Sequence, residues 1–107
     1  MTEETDMLRK FRPCYAVRSR SNRPDFPNDM TEEERAIMRE HSEFWDRLLS
    51  DGSALVTGPV RDPSGTYGFA VIFADSEEEA RELLKDDPAQ KLSVYGYSPM
   101  FASYDEK

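Results

Sequence analysis

The stretch YGFAVIFA, residues 67–74, decides the fold. Its residues are nearly all apolar, with no run of charged or polar side chains. A strand that faces water on one side alternates apolar and polar residues, whereas a strand covered on both sides is apolar throughout. The stretch therefore predicts a β-strand that is buried on both faces.

A helix and a first hairpin strand precede it. The segment ALVTGPV, residues 54–60, predicts a strand whose proline belongs at an edge or a bulge. The segment DPSG, residues 62–65, has the residue types of a type I turn, so the two strands form a hairpin. Upstream, TEEE at residues 31–34 has the spacing of a capping box and opens a helix to about Ser50, which Gly52 ends.

The remaining segments complete a β-α-β-β-α-β order. Residues 9–20 predict the first strand and residues 91–104 the last, while SEEE at residues 76–79 opens a second helix to about Lys85. Residues 21–29, which contain two prolines, predict a loop. This order is typical of the ferredoxin-like α+β fold, a four-stranded antiparallel sheet with two helices on one face.

Such a fold leaves the second face of its sheet uncovered. A chain of 107 residues has no further element for that face, yet residues 67–74 predict burial on both sides. A second copy of the sheet is the economical cover. We therefore expect a homodimer in which the two sheets pack face to face.

Composition limits the partners and the location. The length predicts a single domain, residues 1–107, with residues 1–8 as a flexible acidic tail. Fourteen basic against 22 acidic residues give a net charge of −8, which argues against nucleic acid and anionic membranes as partners. The acidic start is unlike a secretory signal, and no segment is long and apolar enough to span a membrane. One cysteine, Cys14, excludes an internal disulfide, and we expect a cytoplasmic protein.

The only histidine, His41, lies on the apolar side of the predicted first helix. At about 100° per residue, Ile37, Phe44, Trp45 and Leu48 fall within about 60° of it. Two interpretations are open. His41 is a buried structural residue bonded to a backbone carbonyl, or it is a general acid or base in a pocket, where burial and a carboxylate tune its titration.

Asp87 is the acidic residue that stands apart from the solvated majority. A histidine that acts as a base needs a group that orients its ring, and a carboxylate is suited to that task. Asp87 also precedes Pro88, and an Asp-Pro pair often only closes a helix and opens a turn. Both interpretations of Asp87 stay open on the residues alone.

Other residues are candidates for a substrate pocket, each with a structural alternative. The candidate residues are Trp45, Tyr67, Tyr95 and Tyr97 as aromatic lining, Gly58 and Pro59 as a close backbone approach or a bulge, and Arg18 and Arg39 as anchors for an anionic substrate. One histidine and one cysteine without ligand spacing do not make a usual metal site. No motif requires a cofactor, so we expect none, and Cys14 is expected to be a small core residue.

Taken together, these motifs resemble the YciI-related family over roughly residues 9–102. The features that carry the resemblance are the helix with His41, GSALVTGP at residues 52–59, the strand with Gly68, SEEEA at residues 76–80, Asp87-Pro88 and Pro99. The resemblance implies a dimeric α/β barrel and a pocket beside a His–Asp pair. On this chain that pair is His41 and Asp87.

Two functions from different classes follow. The first is a small lyase- or hydrolase-like enzyme, in which His41 is the general acid or base, Asp87 orients it, and Trp45 helps to hold a small, partly apolar molecule. The second is a non-catalytic dimer that binds or senses a metabolite, in which His41 only makes a hydrogen bond.

Overall fold

The computed structural model describes residues 11–21, 23, 26 and 28–104. The expected acidic tail, residues 1–8, lies outside them. In the described part, the elements in chain order are β1 (Phe11–Ser21), α1 (Glu32–Ser50), β2 (Ala54–Val60), β3 (Tyr67–Phe73), α2 (Glu77–Leu84), a 3₁₀ helix (Pro88–Lys91) and β4 (Ser93–Ser103). None of the described helices combines the length and hydropathy needed to cross a bilayer.

The four strands form one antiparallel sheet in the order β2-β3-β1-β4. With both helices packed on one face, this is the ferredoxin-like α+β arrangement that the sequence predicts. β2 is an edge strand, where Pro59 costs no ladder hydrogen bond. The irregularity of this strand lies between Ala54 and Val56. Gly58 and Pro59 pair with β3 in regular register, so the expectation of a bulge there is wrong.

Helix α1 begins and ends where its sequence predicts. The Thr31 hydroxyl accepts from the Glu34 backbone N–H at 3.1 Å, and the Glu34 carboxylate accepts from the Thr31 N–H at 3.0 Å, which completes the capping box. Beyond the C-cap residue Asp51, Gly52 has φ +83°, a left-handed conformation that glycine adopts without strain. The helix is therefore held at both ends by local interactions.

The two faces of the sheet carry separate apolar clusters, because successive strand residues point to opposite sides. On the helix-covered face, residues such as Val17 and Ile72 pack with Trp45, Leu48 and Leu84 of the helices. On the second face, strand residues form their own cluster with Tyr104; its buried members are Cys14, Val71 and Ala102. β3 thus contributes buried residues to both faces, as its sequence predicts.

The segment between α2 and β4 differs from the sequence prediction. Instead of entering a strand at residue 91, the chain forms the 3₁₀ helix Pro88–Lys91, and β4 begins only at Ser93. Asp87 is the N-cap of this helix, and its Oδ1 accepts from the Ala89 N–H at 3.0 Å. The backbone N–H at the first helical position has no partner within the helix, so proline, which lacks that N–H, fits there. The Asp-Pro pair therefore starts the 3₁₀ helix rather than a simple turn.

Candidate active site

Asp87 is the buried charged group of the described residues, with 2% of its surface exposed. Its Oδ1 accepts hydrogen bonds from His41 Nδ1 at 2.7 Å and from the Ala89 N–H at 3.0 Å. Its Oδ2 accepts from Trp45 Nε1–H at 2.8 Å and from the Tyr95 hydroxyl at 2.7 Å. Four donors from three elements therefore fix the orientation of one carboxylate.

These donors decide the charge of Asp87. Burial alone would raise the pKa of the Asp87 carboxyl, because a low dielectric disfavours the charged form. The hydrogen bonds from His41 and Tyr95, with the charge of a protonated His41 and the Ala89 N–H, outweigh burial and lower that pKa below its ordinary value. Asp87 is therefore ionised at neutral pH and acts only as an acceptor.

The tautomer of His41 follows from this contact. An ionised carboxylate has no proton to donate, so the hydrogen between Asp87 and the imidazole belongs to Nδ1. In a neutral ring, Nε2 then carries a lone pair, and it has no partner among the described residues. The side chain is 22% exposed and lines a cavity, so the accessible part of the ring suits proton transfer.

Helix α1 supplies two of the four donors through its geometry. His41 and Trp45 are four residues apart, one turn of helix, and their side chains lie on the same face. Both reach Asp87, and their rings meet edge to face at 6.3 Å between centroids. The spacing that places His41 in the apolar stripe is therefore also the spacing that brings it to the carboxylate.

A cavity of about 440 Å³ lies between α1 and the sheet, next to this network. Its volume is in the range of small-molecule sites. His41, Trp45 and Tyr95 line it together with apolar residues, hydroxyl-bearing residues, and Gly58 and Pro59 of β2. The cavity is thus open to a partly apolar ligand that also makes hydrogen bonds.

Gly68 allows close approach at the cavity. It pairs directly with Ser19 across β1 and β3, and both residues line the cavity. A Cβ atom at position 68 would collide with Ser19 Oγ. Glycine here leaves room for the serine hydroxyl beside the sheet.

The structure brings some predicted pocket residues together and separates others. Trp45, Gly58 and Pro59 share the cavity with His41, and their role in binding stays a prediction. Arg18 lies outside the cavity lining, because it alternates along β1 with the lining residues Val17 and Ser19 and faces the other side. Its guanidinium lies 5.4 Å from the Tyr67 ring centroid.

Tyr97, which the sequence suggests as a pocket residue, also lies outside the cavity. It shares the helix-covered face with Tyr95 but lies two residues further along β4, outside the cavity lining and beneath the Arg81 guanidinium at 4.5 Å. Tyr95, the other tyrosine that the sequence suggests on β4, does line the cavity, and its hydroxyl has a polar partner in Asp87. An alternation count along β4 allows either tyrosine, so the sequence carries no signal that separates them.

The loop of residues 21–29 contributes to the cavity through Ser21 and Phe26. Residues 22, 24, 25 and 27 of that loop lie outside the described residues. Arg23 ties it to α1, because its guanidinium bonds both oxygens of Glu34 at 2.7 Å. In the described part of the chain, no three potential metal ligands lie together.

Comparisons with known proteins give one family and one described structural likeness. The family model of the YCII-related domain matches residues 15–101. Seven chains of solved structures match. Among them is 5-chloro-2-hydroxyhydroquinone dehydrochlorinase from Burkholderia phenoliruptrix AC1100 in complex with 2,5-dihydroxybenzoquinone, with 16% identity, coverage of 87% of this chain and 95% of that chain, and a TM-score of 0.46. No curated protein matches the chain.

Proposed function

The chain belongs to the YCII-related domain family, and from that premise we propose that it is a small enzyme for acid/base chemistry, of lyase or hydrolase type. His41 is the general acid or base, Asp87 orients it, and the substrate is a small, partly apolar molecule. One observation carries the proposal: a buried, fully bonded Asp87 holds Nδ1 of a histidine that lines a cavity.

The proposed proton path uses His41 Nε2. In the neutral ring, the Nε2 lone pair takes a proton from the substrate, and the imidazolium that forms is stabilised by the ionised Asp87 at 2.7 Å. The proton then returns from Nε2 to the substrate or to a leaving group. Asp87 keeps its charge throughout, because its lowered pKa disfavours protonation.

The test begins with a thermal-shift screen of a metabolite library, since a ligand that binds the native state raises its apparent stability. Hits are then assayed for turnover with the parent and with His41→Ala. We expect His41→Ala to lower kcat by about 10²–10⁴-fold, the usual contribution of a general acid or base. Glu40→Ala, at the exposed neighbouring position of the same helix and outside the cavity lining, is the matched control and should stay within a few-fold of the parent. A His41→Ala protein with parental turnover would contradict the proposal.

The alternative is a non-catalytic dimer that binds or senses a metabolite. The observation in its favour is the same free Nε2, which can accept a hydrogen bond without taking the proton. Under this alternative, library hits bind with unchanged chemistry, and prolonged incubation with the parent leaves each hit intact by mass spectrometry.

We also propose a cytoplasmic homodimer formed through the second face of the sheet. Cys14, Val71 and Ala102 form an apolar cluster there with partly exposed neighbours, including Phe73 and Met100. A buried free thiol at Cys14 is compatible with a reducing compartment. Sedimentation at micromolar concentration should give twice the chain mass, and a folded monomer would contradict this assembly.

A further inference from the structure

Three polar residues that line the cavity, His41, Trp45 and Tyr95, donate their hydrogens to Asp87 and not to the cavity. His41 Nδ1–H and the Tyr95 hydroxyl both donate to Asp87, and so does Trp45 Nε1–H. Burial first, and then the hydrogen bond and charge of Asp87, raise the pKa of the Tyr95 phenol well above its ordinary value. Tyr95 therefore keeps its proton, and its O–H stays bonded to the carboxylate of Asp87.

These residues can therefore offer a ligand only hydrogen-bond acceptors. A neutral His41 has the Nε2 lone pair, and a phenol that donates its hydrogen keeps lone pairs on its oxygen. His41 and Tyr95 both line the cavity, and they bond the two oxygens of one carboxylate. The serine and threonine hydroxyls elsewhere in the cavity rotate to donate or accept, so they do not discriminate between ligand types.

Positive charge is missing from the described lining of the cavity, which includes neither Lys nor Arg. Arg18 and Arg20 lie outside the lining, with their guanidinium groups 5.4 and 4.8 Å from the ring centroid of Tyr67 at its border. Arg23 of the loop is bonded to Glu34 and Asp29. Asp46 also lines the cavity, and the whole chain carries −8. Within the lining itself, an anionic ligand would meet acceptors and negative charge but no positively charged side chain.

We propose that this site selects an uncharged ligand that donates a hydrogen bond, an alcohol or a phenol, and rejects carboxylates and phosphates. The hydroxyl of the ligand donates to His41 Nε2, and the Tyr95 oxygen is a second acceptor in the same cavity. This selectivity rests on the proposed function, because the donated hydrogen is the one that His41 would remove. It replaces the anionic substrate for which Arg18 was a candidate.

The test uses three probes that share one ring and differ in charge: phenol, benzoate and benzylamine. Their affinities for the full chain are measured by NMR titration of backbone amides at pH 8. Phenol should bind at least about tenfold more tightly than benzoate, a difference of about 1.4 kcal/mol. Benzoate binding as tightly as phenol, benzylamine binding most tightly, or no binding of phenol at 10 mM would each overturn the proposal.

Two matched tyrosine variants locate the selectivity. Tyr95→Phe removes the second acceptor and should weaken phenol binding by about three- to tenfold, in the range of one hydrogen bond. Tyr97→Phe makes the same change two residues away, outside the cavity lining, and should leave the affinity unchanged. Equal effects of the two variants on a folded protein would contradict the assigned acceptor. If Tyr95→Phe does not fold, the probe ratios of the parent still decide the question.

The failure of this inference is distinguishable from the failure of the proposed function. If phenol is preferred but His41→Ala keeps its turnover, the selectivity stands and the acid/base role falls. If benzoate binds equally well while His41→Ala loses turnover, the role stands and the selectivity falls.

Discussion

Two ionic clusters with nearly equal hydrogen-bond lengths occupy very different surroundings. The His41–Asp87 contact is 2.7 Å, and the Asp87 side chain is 0% exposed. The Arg23–Glu34 contact is also 2.7 Å, but there the carboxylate of Glu34 is 15% exposed, the Arg23 side chain is 42% exposed and that of its other partner, Asp29, is 47% exposed. Distance is therefore the same in both clusters, and the difference between them is access of water.

That difference sets what each cluster contributes. Around Arg23, water screens the charges and replaces a lost partner, so the gain from the pair is small. Around Asp87, the low dielectric strengthens each hydrogen bond, and a donor that loses its partner stays unsatisfied. We therefore expect the buried cluster to hold the site together and the exposed cluster only to tether the loop.

The largest expected effect is the removal of the buried carboxylate. Asp87→Ala leaves the donors of His41, Trp45, Tyr95 and Ala89 without their acceptor and should lower the free energy of unfolding by about 3–5 kcal/mol. Urea melts followed by circular dichroism measure this loss. Asp86→Ala, the exposed neighbour, should match the parent within error. A loss below about 1 kcal/mol for Asp87→Ala would mean that the donors find other partners.

Acid should separate the two clusters next. The pKa of Glu34 is lowered to about 2, chiefly by the hydrogen bond from Arg23, and the pKa of Asp87 is also lowered. A carboxyl with a lowered pKa stabilises the fold above its unfolded pKa of about 4, and this contribution is lost as pH falls through the folded value. Thermal melts from pH 7 to pH 2 should therefore show falling stability below about pH 4.

Substitutions of the two carboxylates show how much of the stability lost in acid comes from each cluster. Asp87→Asn should be less stable than the parent at pH 7, and the gap should narrow towards pH 2, because the parent then loses what the variant lacks. Glu34→Gln should show a smaller gap at pH 7 than Asp87→Asn does. In 1 M salt that smaller gap should shrink further, since screening acts on exposed charges. If the stability difference between the parent and Asp87→Asn stays constant down to pH 2, the charge of Asp87 does not account for the stability that the network contributes.

The smallest effect belongs to the exposed cluster. Arg23→Ala should lower Tm by about 3 °C or less, as for a surface ion pair in a small domain. Differential scanning calorimetry at low and high salt measures this shift, which should fall in 1 M salt. A Tm loss as large as that of Asp87→Ala would show that exposure does not separate the two clusters.

Local patterns explain why part of the site is predictable from the sequence. The spacing of His41 and Trp45 follows from the 3.6-residue period of a capped helix, so their shared face needs no tertiary information. The buried character of β3 is likewise visible in its own residues. The contact of His41 with Asp87 comes only from the family resemblance, because 46 residues of chain separate the two and local chemistry gives Asp87 no more than a capping role.

Tertiary geometry explains what the sequence misses. The placement of Arg18 depends on the phase of β1 relative to the helices, because a shift of one strand position changes the face. Tyr97 lies on the same face as Tyr95, and only the extent of the cavity along β4 separates the two tyrosines. The 3₁₀ helix after Asp87 delays β4 by two residues relative to the prediction. Asp87 has both roles that seemed alternatives: it caps that helix through the Ala89 N–H and bonds the imidazole of His41.

The position of Trp45 has a practical consequence. It is the only tryptophan of the chain, its indole N–H is bonded to Asp87, and its ring is arranged edge to face with that of His41 at 6.3 Å between centroids. All indole emission of the protein therefore arises inside the candidate site. Because indole emission responds to the charge and polarity around the ring, any event that protonates His41, occupies its Nε2 or loosens Asp87 alters the emission of Trp45. The protein thus carries an intrinsic fluorophore that is hydrogen-bonded to Asp87, so ligand binding and protonation at the candidate site can be followed without a label.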